Sequence, residues 1–311
     1  MKLVFMGNPR FALPTLNALN SGRHKVELVV TGPDRPAGRG RRLRTSPVKN
    51  LALSLGLPLA QPEKLSDPDF IETVRSVGPD LFVVVAFRIL PSRLLAVPRL
   101  GSVNLHASLL PDLRGAAPIN WAIIHGYGQT GLSVFFLKER VDTGDIILQR
   151  ELEIGPEETA GELSERMSGI GPEVMLQAID LIESGKAEAR PQQGEATTAP
   201  KLTRDDGRID FSLDSRTVFN HIRGVTSHPG AYTYIQNKRL IVHRARLMKG
   251  EQVRGRPGEV KGVSDDGLLV GTGDGCLLLV EIQMEGKARM AAVDFWRGLQ
   301  QTTGLILGRE D

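Results

Sequence analysis

Two short stretches hold the residue types that could do chemistry. GSVNLHASLLPDLR, residues 101–114, carries Asn104 and His106; VDTGD, residues 141–145, carries Asp142. Residues 101–105 read as a short buried strand, and the polar residues and Pro111 after them cannot continue a ladder. Asn104 and His106 therefore stand where a strand ends, two apart and projecting to one side. At the carboxyl end of a parallel sheet, that side opens onto the usual ligand crevice. An amide donates to a developing oxyanion and an imidazole moves a proton near neutral pH, a pairing suited to acyl transfer. Asp142 lies in a turn marked by Thr143 and Gly144, between strand-like stretches at 132–137 and 146–148, and so also at a sheet end. A carboxylate there would orient the imidazole and favour its protonated form. Taken singly, each residue also suits a structural role: Asn104 and His106 satisfying backbone groups, Asp142 capping its turn.

NLHASLLPDLRGAAPINWA followed by VDTGD resembles the signature of the formyltetrahydrofolate-dependent formyltransferases. The resemblance implies that Asn104, His106 and Asp142 act on a formyl group, with 10-formyltetrahydrofolate as cosubstrate. It also implies a pterin pocket lined by Phe87, Arg88, Ile89 and Leu90 and by Ser108, Leu109, Leu110 and Pro111, completed by residues 134–137 and 142–145. The segment AFRILP at 86–91 departs from the commoner AYGxILP pattern by one missing residue and a lost glycine, so this loop is shorter.

The elements that must carry these residues alternate along the chain. Residues 2–6 form an apolar run ending in Gly7, with a helix-like segment from Pro14 to Asn20 behind it. Residues 26–31 give a second strand, Ser46-Pro47 opens a helix with a cap and a proline at its first position, and the VVV-rich run at 81–86 suits a strand buried on both faces. The alternation predicts an α/β, Rossmann-like doubly wound sheet. A dinucleotide site is excluded at the first turn, where GNPRFALP lacks the second and third fingerprint glycines. A helical pattern from 159 to 183, interrupted at 169–172, closes this part of the chain, while His24 reads as part of an exposed turn and His125 as a helix C-cap.

Residues 186–206 are polar and poor in large apolar side chains, as a linker is. The expected domains are thus a catalytic domain at 1–185 and a second domain at 207–311. The short alternating runs of the latter, with glycine turns, predict a small β-barrel. Such a chain, 311 residues with 41% apolar and 24% charged side chains, reads as an ordinary globular protein. No apolar run reaches the ~18 residues of a membrane span, and the amino terminus turns at Gly7 before a signal-peptide core could form, so a cytoplasmic location is expected. Cys276 is the single cysteine and the histidines show no ligand spacing, so no metal is expected.

The net charge is only +3, but the basic residues cluster. Residues 31–47 make a connection far longer than the usual two to six residues, and its arginines face one acid, Asp34. A phosphate backbone is the natural counterpart, and a solvated flexible loop is the alternative. PDRPAGRGRRL resembles the loop inserted in those family members that act on charged tRNA, with Arg39 at the position implicated at the acceptor stem. The resemblance extends to the second domain, which it implies is OB-like, and makes Arg35, Arg39, Arg41, Arg42, Lys238, Arg239 and Arg244 candidates for tRNA contacts. The expected reaction is formyl transfer to the amino group of methionine on initiator tRNA by a monomeric enzyme. A small amine acceptor and a non-catalytic tRNA-binding protein are the alternatives.

Overall fold

The computed structural model describes residues 1–37, 42–226, 228–248, 255–299 and 304–308, and the side chains of Ala37 and Arg42 are outside that description. It contains two compact units: one made of Met1–Gly115, Thr130–Glu153 and Ser164–Ala199, the other of Ala116–Gln129, Ile154–Leu163 and Pro200–Asp311.

In the first unit the strands are β1 Lys2–Gly7, β2 Lys25–Val30, β3 Arg35–Ala37, β4 Arg42–Arg44, β5 Leu59–Ala60, β6 Leu81–Val85, β7 Ser102–His106, β8 Arg114–Gly115, β9 Gln129–Phe136, β10 Ile146–Glu153 and β11 Thr198–Ala199. Its helices are α1 Leu13–Ser21, α2 Pro47–Ser54, α3 Pro68–Ser76 and α4 Ser92–Leu95; α5, Pro118–Ile124, belongs to the second unit, and α6, Ala160–Glu183, runs from the second into the first. The main sheet has the order β10-β9-β7-β6-β1-β2-β5, with parallel pairing from β5 through β7 and an antiparallel β7–β9 pair. This is the expected Rossmann-like α/β domain. The chain winds outward from β1 through β2 to β5, then returns to β6 on the other side of β1, so its topological switch lies between β1 and β6. Register sets Gly7 beside Val85 and Val85 beside Leu105, which lines up the carboxyl ends of β1, β6 and β7. Every residue of β6 is buried, as continuous β-branched and apolar sequence predicts for a central parallel strand.

Two local expectations are corrected. His24 is buried, 5% exposed, with its ring between the α-amino group of Met1 and the carboxylates of Asp180 and Glu183. Helix α6 continues through Pro172 without interruption, held by Leu163, Met167, Val174, Met175, Ala178 and Ile179, all buried. Within the long basic connection, β3 pairs antiparallel with β4.

In the second unit, β12 Ala231–Ile235, β13 Lys238–Leu247, β14 Val260–Ser264, β15 Gly267–Gly271, β16 Cys276–Met284 and β17 Met290–Ala291 form one antiparallel sheet in the order β12-β13-β16-β15-β14, with β17 on β16. Gln236 and Asn237, at φ +47° and +60°, make the two-residue turn that hairpin twist favours between β12 and β13. Helices α7, Ser215–Gly224, and α8, Ala292–Arg297, pack on this OB-like sheet, and its core joins Val218, Phe219 and Ile222 of α7 to Leu240, Val270 and Leu279. Buried Arg223 donates to the carbonyls of Gly155 and Glu158, tying residues 154–159 to α7.

Helix α6 opens on a capping box. Glu162 accepts from Thr159 N–H and Oγ1 at 2.8 Å each, while Glu162 N–H donates back to Oγ1. Those two bonds, with a smaller contribution from Arg244, hold the Glu162 pKa below the ordinary glutamate range. A lowered folded-state value gives stability that is present above the unfolded pKa and lost as pH falls through the folded one. Glu162→Gln should cost about 0.5–1 kcal/mol at neutral pH, a figure discounted for the exposure of the carboxylate, and nothing in strong acid. Urea midpoints of both proteins across that range check it; a gap that persists in acid contradicts it.

Candidate active site

Alternation along β7 sends Asn104 and His106 to the same face. The Asn104 amide is half-buried and has no hydrogen-bond partner among the described residues. His106 is 6% exposed, and its Nε2 lies 3.0 Å from the Leu113 carbonyl oxygen. A carbonyl only accepts, so Nε2 carries the hydrogen and Nδ1 of the neutral ring presents a lone pair. That lone pair faces Asp142 Oδ2 at 3.7 Å, outside hydrogen-bond range. Two electron-rich atoms oppose each other until a proton arrives on Nδ1, when the opposition becomes an ion pair. The ring edge meets Phe135 at 6.4 Å between centroids.

Asp142 reaches the imidazole by an indirect route. Because β9 runs antiparallel to β7, its last residue, Phe136, pairs with Val103 and not with the end of β7. The turn after β9 must fold back across the face. Asp142 takes φ +52°, a left-handed conformation uncommon outside glycine, and its Oδ2 accepts from Gly115 N–H at 2.8 Å. Gly144 is required two residues on, since a Cβ there would come within 1.5 Å of the Phe136 carbonyl oxygen.

Two further residues act on this arrangement, and both come from the polar stretch after α6. Gln192 Nε2 donates to the carbonyls of Asp142 and Gly144 at 2.9 Å each, while its Oε1 accepts from Arg114 Nε at 3.1 Å and Nη2 at 2.5 Å. Thr197 Oγ1 accepts from Leu113 N–H at 2.8 Å, and its carbonyl accepts from Arg114 N–H. Nothing in the sequence around either residue, PQQGE or ATTAP, distinguishes it from connecting chain.

The residues expected around a pterin fall on two loops of the same unit. After β6, Ala86 turns at φ +49°, and Arg88 lies over the Phe87 ring while donating to the carbonyls of Pro62 and Glu63 at 2.9 and 3.0 Å. Burial, and then the charge of Arg35, lowers the Arg88 pKa. Leu90 sits in the core, whereas Ile89 is 70% exposed. After β7, Ser108 is fully buried and its hydroxyl donates to the Asp112 carbonyl. Leu110 is buried, Leu109 and Pro111 are half-buried, and the Leu110–Pro111 peptide is cis. Ser133 holds this loop, donating to the Ser108 carbonyl at 2.6 Å and accepting from Leu110 N–H at 3.1 Å.

Arg35 is exposed on β3; Arg42 stands on β4, and Arg39 and Arg41 lie outside the described residues. Lys238 is exposed, Arg239 stacks 4.1 Å from the Tyr232 ring centroid, and Arg244 approaches Glu162 at 3.6 Å. A cavity of about 640 Å³ beside β10, lined by Leu110, Leu148, Leu181 and Arg190 among others, includes none of Asn104, His106 and Asp142. His24, Asp180 and Glu183 form a cluster with metal-ligand potential, but Arg23 already bridges the two carboxylates. No helix among the described residues is long and apolar enough to cross a membrane.

A Rossmann-like domain with an amide, an imidazole and a carboxylate on one sheet face, followed by an OB-like domain, defines a class of two-domain group-transfer proteins. Residues 1–179 match the model of the formyl transferase family, and residues 201–300 match that of the formyl transferase C-terminal domain. The chain is 44% identical over 310 residues to the methionyl-tRNA formyltransferase of Syntrophus aciditrophicus, covering 99% of each. Among solved structures it resembles the methionyl-tRNA formyltransferase from Clostridium thermocellum (TM-score 0.58, 20% identity, 81% of this chain and 95% of that one). It also resembles HypX from Aquifex aeolicus in complex with tetrahydrofolic acid (TM-score 0.64, 20% identity, 100% of this chain and 51% of that one). The chain belongs to the formyl transferase family.

Gly144→Ala should destabilise the protein by about 2 kcal/mol or more, because either the turn or the end of β9 must move. A urea midpoint equal to wild type would mean that the turn has room the geometry denies.

Proposed function

We propose that this enzyme transfers the formyl group of 10-formyltetrahydrofolate to the amino group of methionine on initiator tRNA, in the cytoplasm, as a monomer. The chemistry is carried by the His106 ring, held by Nε2 on the Leu113 carbonyl with Nδ1 turned to Asp142, beside the unengaged Asn104 amide. The acceptor rests on full-length likeness to relatives named methionyl-tRNA formyltransferase.

The amine is itself the nucleophile, so no adduct on the protein is needed. Its nitrogen attacks the formyl carbon; the carbonyl electron pair moves to oxygen, where Asn104 Nδ2 donates to the oxyanion. His106 Nδ1 takes the proton that the nitrogen sheds, and the Asp142 carboxylate stabilises the resulting imidazolium. Collapse of the tetrahedral centre breaks the bond to the folate nitrogen, which leaves with the proton that His106 Nδ1 returns, so the ring ends neutral. The donor is proposed to lie against Phe87, Arg88, Ile89 and Leu90 and the loop of Ser108, Leu109, Leu110 and Pro111. Since the Ser108 hydroxyl is engaged within the loop, that stretch would offer shape and backbone groups. Arg35, Arg39, Arg41, Arg42, Lys238, Arg239 and Arg244 are proposed to meet the tRNA. On this reading residues 1–185 form the catalytic domain and 207–311 a tRNA-binding domain joined by 186–206.

Purified protein given 10-formyltetrahydrofolate should formylate aminoacylated initiator tRNA in preference to elongator Met-tRNA. Formylation of small amines with no transfer to either tRNA would overturn the acceptor. Asn104→Ala should lower kcat by about 10²- to 10³-fold, the range for loss of one oxyanion donor, with folate and tRNA affinities retained. Undiminished turnover in that variant would remove Asn104 from the mechanism.

A further inference from the structure

Resting on that reading, we propose that Gln192 is a positioning residue for formyl transfer, holding the Asp142 carboxylate against the His106 imidazole. Its amide uses all its hydrogen-bonding capacity on the two segments that frame the carboxylate: both N–H groups go to the 142–144 turn, and the oxygen takes two donors from Arg114. The turn needs a clamp. Asp142 sits in a left-handed conformation, at φ +52°, and Gly144 is pressed against the Phe136 carbonyl, so the loop does not rest in this shape by local preference. The Arg114 end matters equally, because the next residue, Gly115, supplies the N–H that fixes Asp142 Oδ2. One side chain thus sets the position of the carboxylate from its own backbone and from its partner's.

The same stretch acts on the other nitrogen of the ring. Leu113, whose carbonyl meets His106 Nε2, is itself at φ +58° and is held through its N–H by Thr197. A further tie joins Ile146 to Arg190 by backbone hydrogen bonds in both directions, which anchors the stretch two residues before Gln192. Residues 190–197 therefore act as a strap across both loops that grip the imidazole.

Gln192→Glu separates the two halves of the clamp. A carboxylate keeps, and strengthens, the pairing with Arg114, but has no hydrogen for the Asp142 and Gly144 carbonyls and repels them. If Gln192 positions the carboxylate, Q192E lowers kcat by about ten-fold or more, the scale of a sub-ångström to 1 Å misplacement. The fall in kcat would exceed any rise in KM for the folate donor or for initiator Met-tRNA, because Gln192 acts through the turn and is placed against neither substrate. Gln192→Met, matched in length and without hydrogen bonds, gives the same split and serves where Q192E folds poorly. Wild-type kcat in Q192E or in Q192M overturns the inference, as does a loss spread equally over kcat and both KM values with a lowered Tm, the mark of general loosening. Asp142→Asn is the reference: if it retains wild-type kcat, the catalytic reading of Asp142 fails and the inference falls with it. If D142N is slow while Q192E is not, only the inference fails.

Discussion

An imidazole held at one nitrogen and met by a carboxylate at the other has few ways to satisfy its surroundings. Leu113 fixes the hydrogen of His106 on Nε2, and Asp142 Oδ2 stands 3.7 Å from Nδ1. Much else in the first unit follows from keeping that geometry. The central strands bring β7 to its end beside β6, the chain after β9 doubles back, and Leu113 and Asp142, neither of them glycine, adopt left-handed backbone. Strain of about 1–3 kcal/mol at each such position persists only where neighbours over-determine it. Here Gln192, Thr197 and Gly115 do so.

What the sequence displayed and what it concealed divide along a physical line. Asn104 and His106 were legible because a strand repeats every two residues, and the parallel sheet because apolar runs such as β6, LFVVV, alternate with helical patterns. Asp142 was legible as a turn residue beside Thr143 and Gly144, but not its path back to His106, which depends on the direction of β9. Gln192 and Thr197 were illegible for a different reason: single polar side chains bonding across 50 and 84 positions leave no periodic trace. His24 was misread since a run of polar neighbours, SGRHK, says nothing of α6 returning to cover it. Pro172 shows the converse, a local helix-breaking signal outweighed by a buried helix face.

In the second unit, local sequence misleads about charge. Residues 238–246 carry Lys238, Arg239, Arg244 and Arg246 with no acid among them, yet Arg244 and Arg246 approach Glu162 and Glu157 at 3.6 and 3.7 Å. Both pairs are solvent-exposed, where such contacts contribute about 0–1 kcal/mol. Of their partners, Glu157 lies on the short segment that Arg223 ties to α7, and Glu162 in the first turn of α6.

Asp142 also bears on how such a chain tolerates change. Its left-handed backbone is one that glycine adopts freely, so glycine at position 142 would relieve the strain, but it would also remove the Oδ2 that accepts from Gly115 N–H. The side chain that strains the turn is thus the one that holds it. A descendant without the aspartate would exchange a stiff turn for a loose one and leave its imidazole facing no carboxylate.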